Sequence, residues 1–386
     1  MKIVFLIDKV FSDRDYDRFG IDFFIKKLVK IEIWDFRVNI EKNQNNDYEA
    51  DTKKIIFKNF YSDINKDLET KRLNNYYIFD LRVGNIDYFN LTFFKKKNAN
   101  LIKIEQMLHP VKTIKMRYKI LYLLKKFKLL IIFRIIKKLI NFSKNKEKIM
   151  YDIKICSGKK SNLQNAKNII YSHSLDYDIF LNLDKDKKMS NSNNIVFIDN
   201  GMCDHPDYKL LSIPSYATSE KYYPSMNRFF NAIEKYFNEK VVIAGHPKIL
   251  NNQKLRTQFE NRDIIFGKTP ELIRDSKLII CHDSTAINFA VLWNKPLIFV
   301  STDEIMKNNY LSMQSIKYAL NIKCINVDLP YNNEDWNKLA NKSLLMYSNY
   351  KNNYIKTAQS KKQYSWKIFL DYINKNSYDE KNRVYK

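Results

Sequence analysis

The amino-acid sequence predicts an α/β protein with two domains, each built on a parallel sheet. The chain has 386 residues, more than one hydrophobic core usually holds, and 45% of them are hydrophobic. In both halves short apolar runs alternate with longer amphipathic runs, as strands and connecting helices do in doubly wound domains. We expect an N-terminal Rossmann-like domain over residues 1–185, a C-terminal one over 186–350, and a C-terminal helix and tail over 351–386.

The first half opens with a strand, a helix and a second strand. The apolar run from Ile3 to Ile7 is closed by Asp8, so it indicates a buried strand rather than a signal peptide. The sequence Asp17-Arg18-Phe19-Gly20 then leads into a helical run over 21–28. Further strands are predicted at 31–36, 54–57, 76–83 and 101–105.

The second half repeats this alternation. Thr269 followed by Pro270 is a helix start signal, because threonine caps a helix and proline fits its first position. Helices are predicted at 223–237 and 270–275. Strands are predicted at 194–198, 241–244, 263–266, 278–281, 297–300 and 324–327.

Positive charge is concentrated in one segment. The chain has a net charge of +25, and residues 112–148 contain 13 Lys or Arg and one acidic residue. Leu121, Leu124 and Phe127 recur there at helical spacing. The pattern fits a core helix with a solvated side, and it also fits an amphipathic helix on an anionic membrane, which we favour. We therefore expect a cytoplasmic protein that is peripheral on the inner face of the cytoplasmic membrane.

Several familiar sites are missing from the sequence. It has no GxGxxG, GxxxxGK[ST], GxSxG or HExxH motif. Asp-x-Asp pairs occur within 13–17 and at 176–178 and 184–186, all before the predicted donor-binding half, so we expect no metal and no cofactor. Aromatic residues are not interleaved with basic ones on predicted strands, and we expect no nucleic-acid partner. The four widely spaced cysteines fit a reducing compartment.

Two polar turns at strand ends in the second half could act on a phosphate-bearing donor. Asp199 follows a strand and precedes Gly201, where its carboxylate could take a proton from an attacking hydroxyl or merely cap the turn. His246 is held by the following proline and could donate to a phosphate oxygen. Its neighbours Gly245, Pro247 and Lys248 complete this second turn.

A third turn combines a histidine with two hydroxyl residues. His282 ends a predicted strand, and Ser284 and Thr285 start a helix, where hydroxyls and free N–H groups can bind a phosphate or simply cap the helix. Weaker candidates for contacts with the nucleobase and the ribose are Gly267, Lys268, Thr269 and Glu304.

Taken in order, these motifs resemble those of bacterial GT-B sialyltransferases and polysialyltransferases. Asp199-Asn200-Gly201 is similar to their D/E-D/E-G motif, His246-Pro247 to their HP motif, and Ser284-Thr285 to their S/T motif. The run from Val196 to Glu304 resembles a glycosyltransferase family of surface-polysaccharide biosynthesis. The run Asp17–Gly20, with Arg18 as a possible acceptor contact, fits the same family.

The resemblance implies a GT-B fold, with two Rossmann-like domains facing a cleft, and a metal-independent glycosyltransferase. Asp199 would be the base and His246 the phosphate contact or acid. Because the second acid of the motif is Asn200 here, His205 and Asp207 are alternative bases. The implied donor is a CMP-activated nonulosonic acid, and the acceptor is a cell-surface glycan or a lipid-linked sugar.

Two alternatives stay open. The same fold could use a UDP- or GDP-hexose or a CDP-polyol as donor. A protein of another class, a non-catalytic basic protein that binds membrane or nucleic acid, would bind no nucleotide donor.

Overall fold

In the computed structural model the chain divides into two α/β units. The first contains the described residues of 1–107, 149–175 and 357–384, and the second contains those of 108–113 and 176–356. The predicted amphipathic segment 112–148 lies, from residue 114 on, outside the described residues. The structure describes residues 1–37, 55–60, 68, 70–82, 88–113, 149–185, 194–210, 213–250, 252, 254–331 and 335–384.

The first unit is built on a seven-stranded sheet. Its strands are β1 (Lys2–Ile7), β2 (Lys30–Asp35), β3 (Ile55–Asn59), β4 (Tyr76–Asp80), β5 (Asn100–Glu105), β6 (Tyr151–Cys156) and β7 (Ala166–Tyr171). They are all parallel and stand in the order β3-β2-β1-β4-β5-β6-β7. Along β1, Ile3 and Phe5 enter one core and Val4 and Leu6 enter another, because alternate side chains point to opposite faces. Both faces are buried, as is usual for a parallel sheet.

Helices of the first unit include one from the far end of the chain. The helix Ser365–Val384 places Trp366 against Phe24 and Phe79, with ring centroids 5.5 and 5.7 Å away. The indole N–H donates to the main-chain oxygen of Arg18 at 3.0 Å. This C-terminal segment therefore completes the core of the N-terminal sheet. The other described helices of this unit are Asp13–Arg18, Ile21–Lys26 and Tyr88–Lys96.

The second unit is built on a six-stranded parallel sheet. Its strands are β8 (Ile195–Ile198), β9 (Val241–Gly245), β10 (Ile264–Phe266), β11 (Leu278–Cys281), β12 (Leu297–Ser301) and β13 (Cys324–Asn326). Their order is β10-β9-β8-β11-β12-β13. The direction of strand order reverses between β8 and β11, so the loops that follow these strands flank a topological switch point, where open α/β sheets bind ligands. The first sheet has the same reversal between β1 and β4.

The longest helix described in the second unit begins earlier than the sequence predicts. We expected it over 223–237, and it spans Ser219–Phe237 with Pro224 inside its second turn. The carboxylate of Glu304 accepts a hydrogen bond from the N–H of Thr218, the N-cap residue, at 2.7 Å. An anionic group at the N-terminus stabilises a helix, and here it comes from a distant element. Further described helices are Leu175–Leu183, Asp207–Leu210, Leu255–Gln258, Thr269–Asp275, Ile287–Leu292, Asp303–Asn308, Tyr310–Leu320, Trp336–Asn341 and Tyr347–Tyr350.

We predict that Gly20→Ala destabilises the protein by about 2–4 kcal/mol. Gly20 has a φ of +64°, and a β-carbon there would overlap the indole of Trp366. The control is Gly267→Ala, because Gly267 has a φ of +74° and a β-carbon there meets no atom within 4 Å. The Gly267→Ala variant has the backbone strain without the overlap, and it should lower the free energy of unfolding by about 1 kcal/mol. Urea unfolding measures both, and equal losses would contradict the role given to Trp366.

Candidate active site

Several of the residues predicted from the sequence lie in the loops at the carboxyl edge of the second sheet. Ile198, the last residue of β8, pairs with Ala244 of β9 and with Cys281 of β11. The next residues along the three strands, Asp199, Gly245 and His282, therefore lie at one level, where Gly245 is still paired with Phe266 of β10.

Main-chain and side-chain contacts confirm that these loops meet. The N–H of Asp199 donates to the main-chain oxygen of Ala244 at 3.1 Å. The side-chain amide of Asn200 donates to the main-chain oxygen of Asp283, which joins the loop after β8 to the loop after β11. Asn200, which departs from the acidic motif of the similar family, thus has a structural role.

Asp199 is buried, with 4% of its surface exposed. Its Oδ1 atom accepts the N–H of Gly201 at 2.9 Å, and its Oδ2 atom has no hydrogen-bond partner among the described residues. Burial raises the pKa of Asp199 to about 6, although the N–H groups of Gly201 and Asn200 oppose the shift. Such a pKa suits a general base. In this structure, however, the carboxylate is closed off from solvent and holds the turn together.

His246 lies beside a second histidine. Its ring centroid is 4.7 Å from that of His205, which belongs to the loop after β8. The Lys248 ammonium donates to Oδ1 of Asp207 at 2.8 Å, so the two loops are also joined by an ion pair. The hydrogen bond from Lys248 lowers the pKa of Asp207. Four of the predicted residues thus form one cluster.

His282 is placed in the core. It has 0% exposure, its Nδ1 bonds to the main-chain oxygen of Val300 at 2.8 Å, and its Nε2 bonds to the hydroxyl of Tyr222 at 3.0 Å. Burial lowers its pKa to about 4, so the ring is neutral at pH 7. Because both ring nitrogens are hydrogen-bonded inside the core, the ring has no atom left to contact a nucleotide-linked donor substrate. We therefore leave His282 out of the proposed ligand contacts.

The hydroxyl residues that follow His282 lie nearer the surface. The Oγ atom of Ser284 accepts the N–H of Ala286 at 3.2 Å, and Thr285 is exposed. The helix Ile287–Leu292 behind them has six residues. Ser284 thus stabilises the turn before the helix, whose N-cap residue is Ala286.

The remaining predicted residues are spread over the unit. Gly267 and Lys268 are exposed at the end of β10, and the helix there begins at Thr269 with Lys268, not Thr269, as its N-cap. Glu304 binds Thr218 and pairs with Lys221 at 3.3 Å, which places it at a helix start. Its pKa is lowered, mainly by the N–H of Thr218.

Arg18 belongs to the first unit. It ends the helix Asp13–Arg18, and its main-chain oxygen binds Trp366.

An open, mostly polar cavity of about 500 Å³ lies next to the histidine cluster in sequence and space. Lys248 and Ile249 line it from the turn after β9, and Asp204 lines it from the loop before His205. A volume of this size holds a small ligand. Its other lining residues are Ser219, Glu220, Asn252, Lys254 and Gln258.

Sequence reasoning did not find Tyr222 or, apart from Lys248, the residues that line the cavity. Tyr222 supports His282 from 60 residues away, and nothing in its local sequence distinguishes it from other helix tyrosines. Among the described residues, no group of three or more His, Cys, Asp or Glu is placed to hold a metal ion. Within the same described parts of the chain, none of the helices has the length and apolar character needed to cross a membrane.

We predict that Tyr222→Phe lowers the free energy of unfolding by about 1–3 kcal/mol, because buried Nε2 of His282 loses its donor. The control is Tyr236→Phe on the same helix, where the exposed hydroxyl makes two long contacts of 3.5 Å, with Asp335 and Asn337. That change should stay within about 0.5 kcal/mol. Urea unfolding compares the two, and a Tyr222 variant as stable as the Tyr236 variant would contradict the buried bond.

The pKa of His282 predicts a pH dependence of stability. The folded ring, with a pKa of about 4, stays neutral while the unfolded one takes up a proton near pH 6.5. The stability that His282 contributes is therefore complete above pH 6.5 and is lost as the pH falls to 4, by about 3 kcal/mol. We expect the stability difference between wild type and His282→Gln to shrink over this range. Unfolding at pH 7, 6, 5 and 4 tests it, and a constant difference is the contrary outcome.

Comparison with solved structures relates the whole chain to the wall teichoic acid polymerase TagF. A histidine-to-asparagine variant of TagF superimposes with a TM-score of 0.55 at 13% identity, covering 99% of this chain and 90% of that one. The unsubstituted polymerase gives 0.54 at 12%, covering 98% and 90%. The asparagine variant soaked with CDPG gives 0.52 at 13%, covering 98% and 90%. No family model and no curated protein matches. With its two parallel Rossmann-like sheets, the chain has the two-domain α/β GT-B fold.

Proposed function

We propose that this protein is a glycosyltransferase-type enzyme that moves an activated group from a nucleotide-linked donor to an acceptor hydroxyl. The observation that carries the proposal is the cluster of His246, His205 and Lys248 at the carboxyl edge of the second sheet, beside a cavity of about 500 Å³. Three proton donors at the carboxyl edge of the sheet, one strand away from the switch point, suit an anionic ligand. The GT-B fold is compatible with such an activity. Because one fold can carry many functions, the proposal rests on the residues of the site.

The favoured donor carries a cytidine nucleotide. The motif resemblance supports a CMP-activated nonulosonic acid, and the likeness to TagF, one structure of which was soaked with CDPG, supports a CDP-polyol. Transfer from either donor releases CMP, so one nucleotide product is expected in both cases. A UDP- or GDP-hexose remains the next candidate.

The proposed step is a direct displacement. The acceptor oxygen attacks the anomeric carbon of a CMP-sugar, or the distal phosphorus of a CDP-polyol, and the bond from that atom to the oxygen of CMP breaks. The proton of the acceptor goes to a base. The motif resemblance gives this role to Asp199, and the turn after β8 must open for it, because the carboxylate is buried in this structure. The charge that develops on the leaving phosphate is stabilised by His246 and Lys248, with Ser284 and Thr285 as further contacts.

The proposal for the acceptor rests on the sequence of the basic segment 112–148, most of which lies outside the described residues. The basic segment 112–148 would hold the enzyme on an anionic membrane, where a lipid-linked or surface glycan is available. The competing hypothesis, a basic binding protein without catalysis, does not account for a histidine cluster beside a cavity.

We predict that CMP and CDP raise the melting temperature of the wild type more than UMP or GMP do, because a ligand of the native state stabilises it. In His246→Ala this protection is lost and donor turnover falls at least about 100-fold, while the unliganded melting temperature stays near that of wild type. His109→Ala is the matched control, since His109 also precedes a proline in the second unit. Equal protection by all four nucleotides, or none, would contradict a cytidine-linked donor.

A further inference from the structure

Three histidines of the second unit each accept the same type of local hydrogen bond. His109, His205 and His246 each precede a proline, and each ring accepts at Nδ1 the N–H of the residue after that proline. The N···N distances are 3.3, 3.2 and 3.3 Å. Because Nδ1 accepts, a neutral ring must carry its proton on Nε2. The His-Pro-X turn therefore fixes the tautomer and makes Nε2 a hydrogen-bond donor.

Two of these turns are joined into a pair. The rings of His205 and His246 lie 4.7 Å apart, centroid to centroid, at an interplanar angle of 62°. The residues that follow the two prolines, Asp207 and Lys248, form an ion pair at 2.8 Å. Each turn thus braces the other at equivalent positions, and both rings are held at the carboxyl edge of neighbouring strands.

The charge state of His205 agrees with a donor role. Burial of its ring lowers the pKa of His205 below its usual value, and Lys248 acts in the same direction against Asp207. At neutral pH the ring therefore keeps one proton, on Nε2. A ring in this tautomer cannot remove a proton through Nε2, which argues against His205 as the alternative base.

The charges around the pair are mixed, so the case for an anion rests on the two rings. Lys248 and Lys254 line the cavity together with Asp204 and Glu220, and Lys248 is paired with Asp207. Two N–H groups on rings this close can reach two oxygens of one tetrahedral anion. Neutral donors with fixed tautomers bind such an anion without a change of protonation.

We propose that His205 and His246 donate hydrogen bonds from their Nε2 atoms to one phosphoryl group of the donor. This inference rests on the proposed function for the identity of that group as part of a cytidine nucleotide. It assigns His205 to phosphate binding together with His246, and it makes the Asp207–Lys248 ion pair the brace that keeps both rings in register.

The test compares glutamine and asparagine at each position. Glutamine places an N–H donor near the site of Nε2, whereas asparagine places its polar atoms near Nδ1 and has no group at Nε2. We expect His205→Asn and His246→Asn to weaken CMP binding, measured by calorimetry, by about 10- to 100-fold. His205→Gln and His246→Gln should stay within about 3-fold of wild type. His109→Asn, in the third turn, should leave CMP affinity unchanged.

Cytidine, which has no phosphate, identifies the group that is bound. The affinity for cytidine, measured by competition, should be the same in the wild type and in the Asn and Gln variants of His205 and His246. If His205→Asn binds CMP as wild type does, or if it loses cytidine and CMP equally, the inference is overturned while the proposed function stands.

Binding of inorganic phosphate and pyrophosphate separates the inference about the histidine pair from the proposal of a cytidine-linked donor. If the wild type binds neither CMP nor CDP but binds pyrophosphate, and the asparagine variants lose it while the glutamine variants keep it, the histidine pair is supported and the cytidine donor fails. Absence of binding to CMP, CDP, phosphate and pyrophosphate at millimolar concentration overturns the pair.

Discussion

The parallel pairing of β8 with both β9 and β11 is the constraint on which the candidate site depends. It brings Asp199, Gly245 and His282 to one level, although they are far apart in sequence. Since side chains alternate along a strand, a register slip of one residue would turn these positions to the opposite face. The bond from Asn200 to the loop after β11 and the ion pair between Asp207 and Lys248 then fix the loops that the sheet has aligned.

Titratable groups whose pKa values are shifted by burial toward the neutral form lie beneath that edge. Burial raises the pKa of Asp199 and of Asp283 to about 6 and lowers that of His282 to about 4. Because an uncompensated charge is costly at low dielectric, these groups gain from hydrogen bonds to backbone atoms and to the Tyr222 hydroxyl. The outer layer, with His205, His246 and Lys248, is more exposed. A rigid inner layer thus supports a polar outer layer, which is the arrangement that precise ligand placement requires.

The sequence predicted the sheets better than it predicted the roles of single side chains. Runs such as Val241–Gly245 and Leu278–Cys281 are apolar throughout, and their position between helical runs is sufficient to identify buried parallel strands. The burial of His282 was not predictable, because it depends on Tyr222, which arrives from a different element. The same holds for Glu304, whose partner Thr218 lies 86 residues away. Local pattern locates a strand end, but only tertiary contacts decide which side chains there face the solvent.

The path of the chain between the two units has a consequence for biosynthesis. Residues 357–384 supply Trp366 to the core of the first unit, whereas the second unit is complete at residue 356. As the polypeptide leaves the ribosome, the first sheet emerges early but lacks part of its interior until the helix Ser365–Val384 is made. Domains usually fold from the N-terminus onward during translation. Here the later unit can finish first, and the earlier one keeps apolar surface uncovered until that helix has been synthesised.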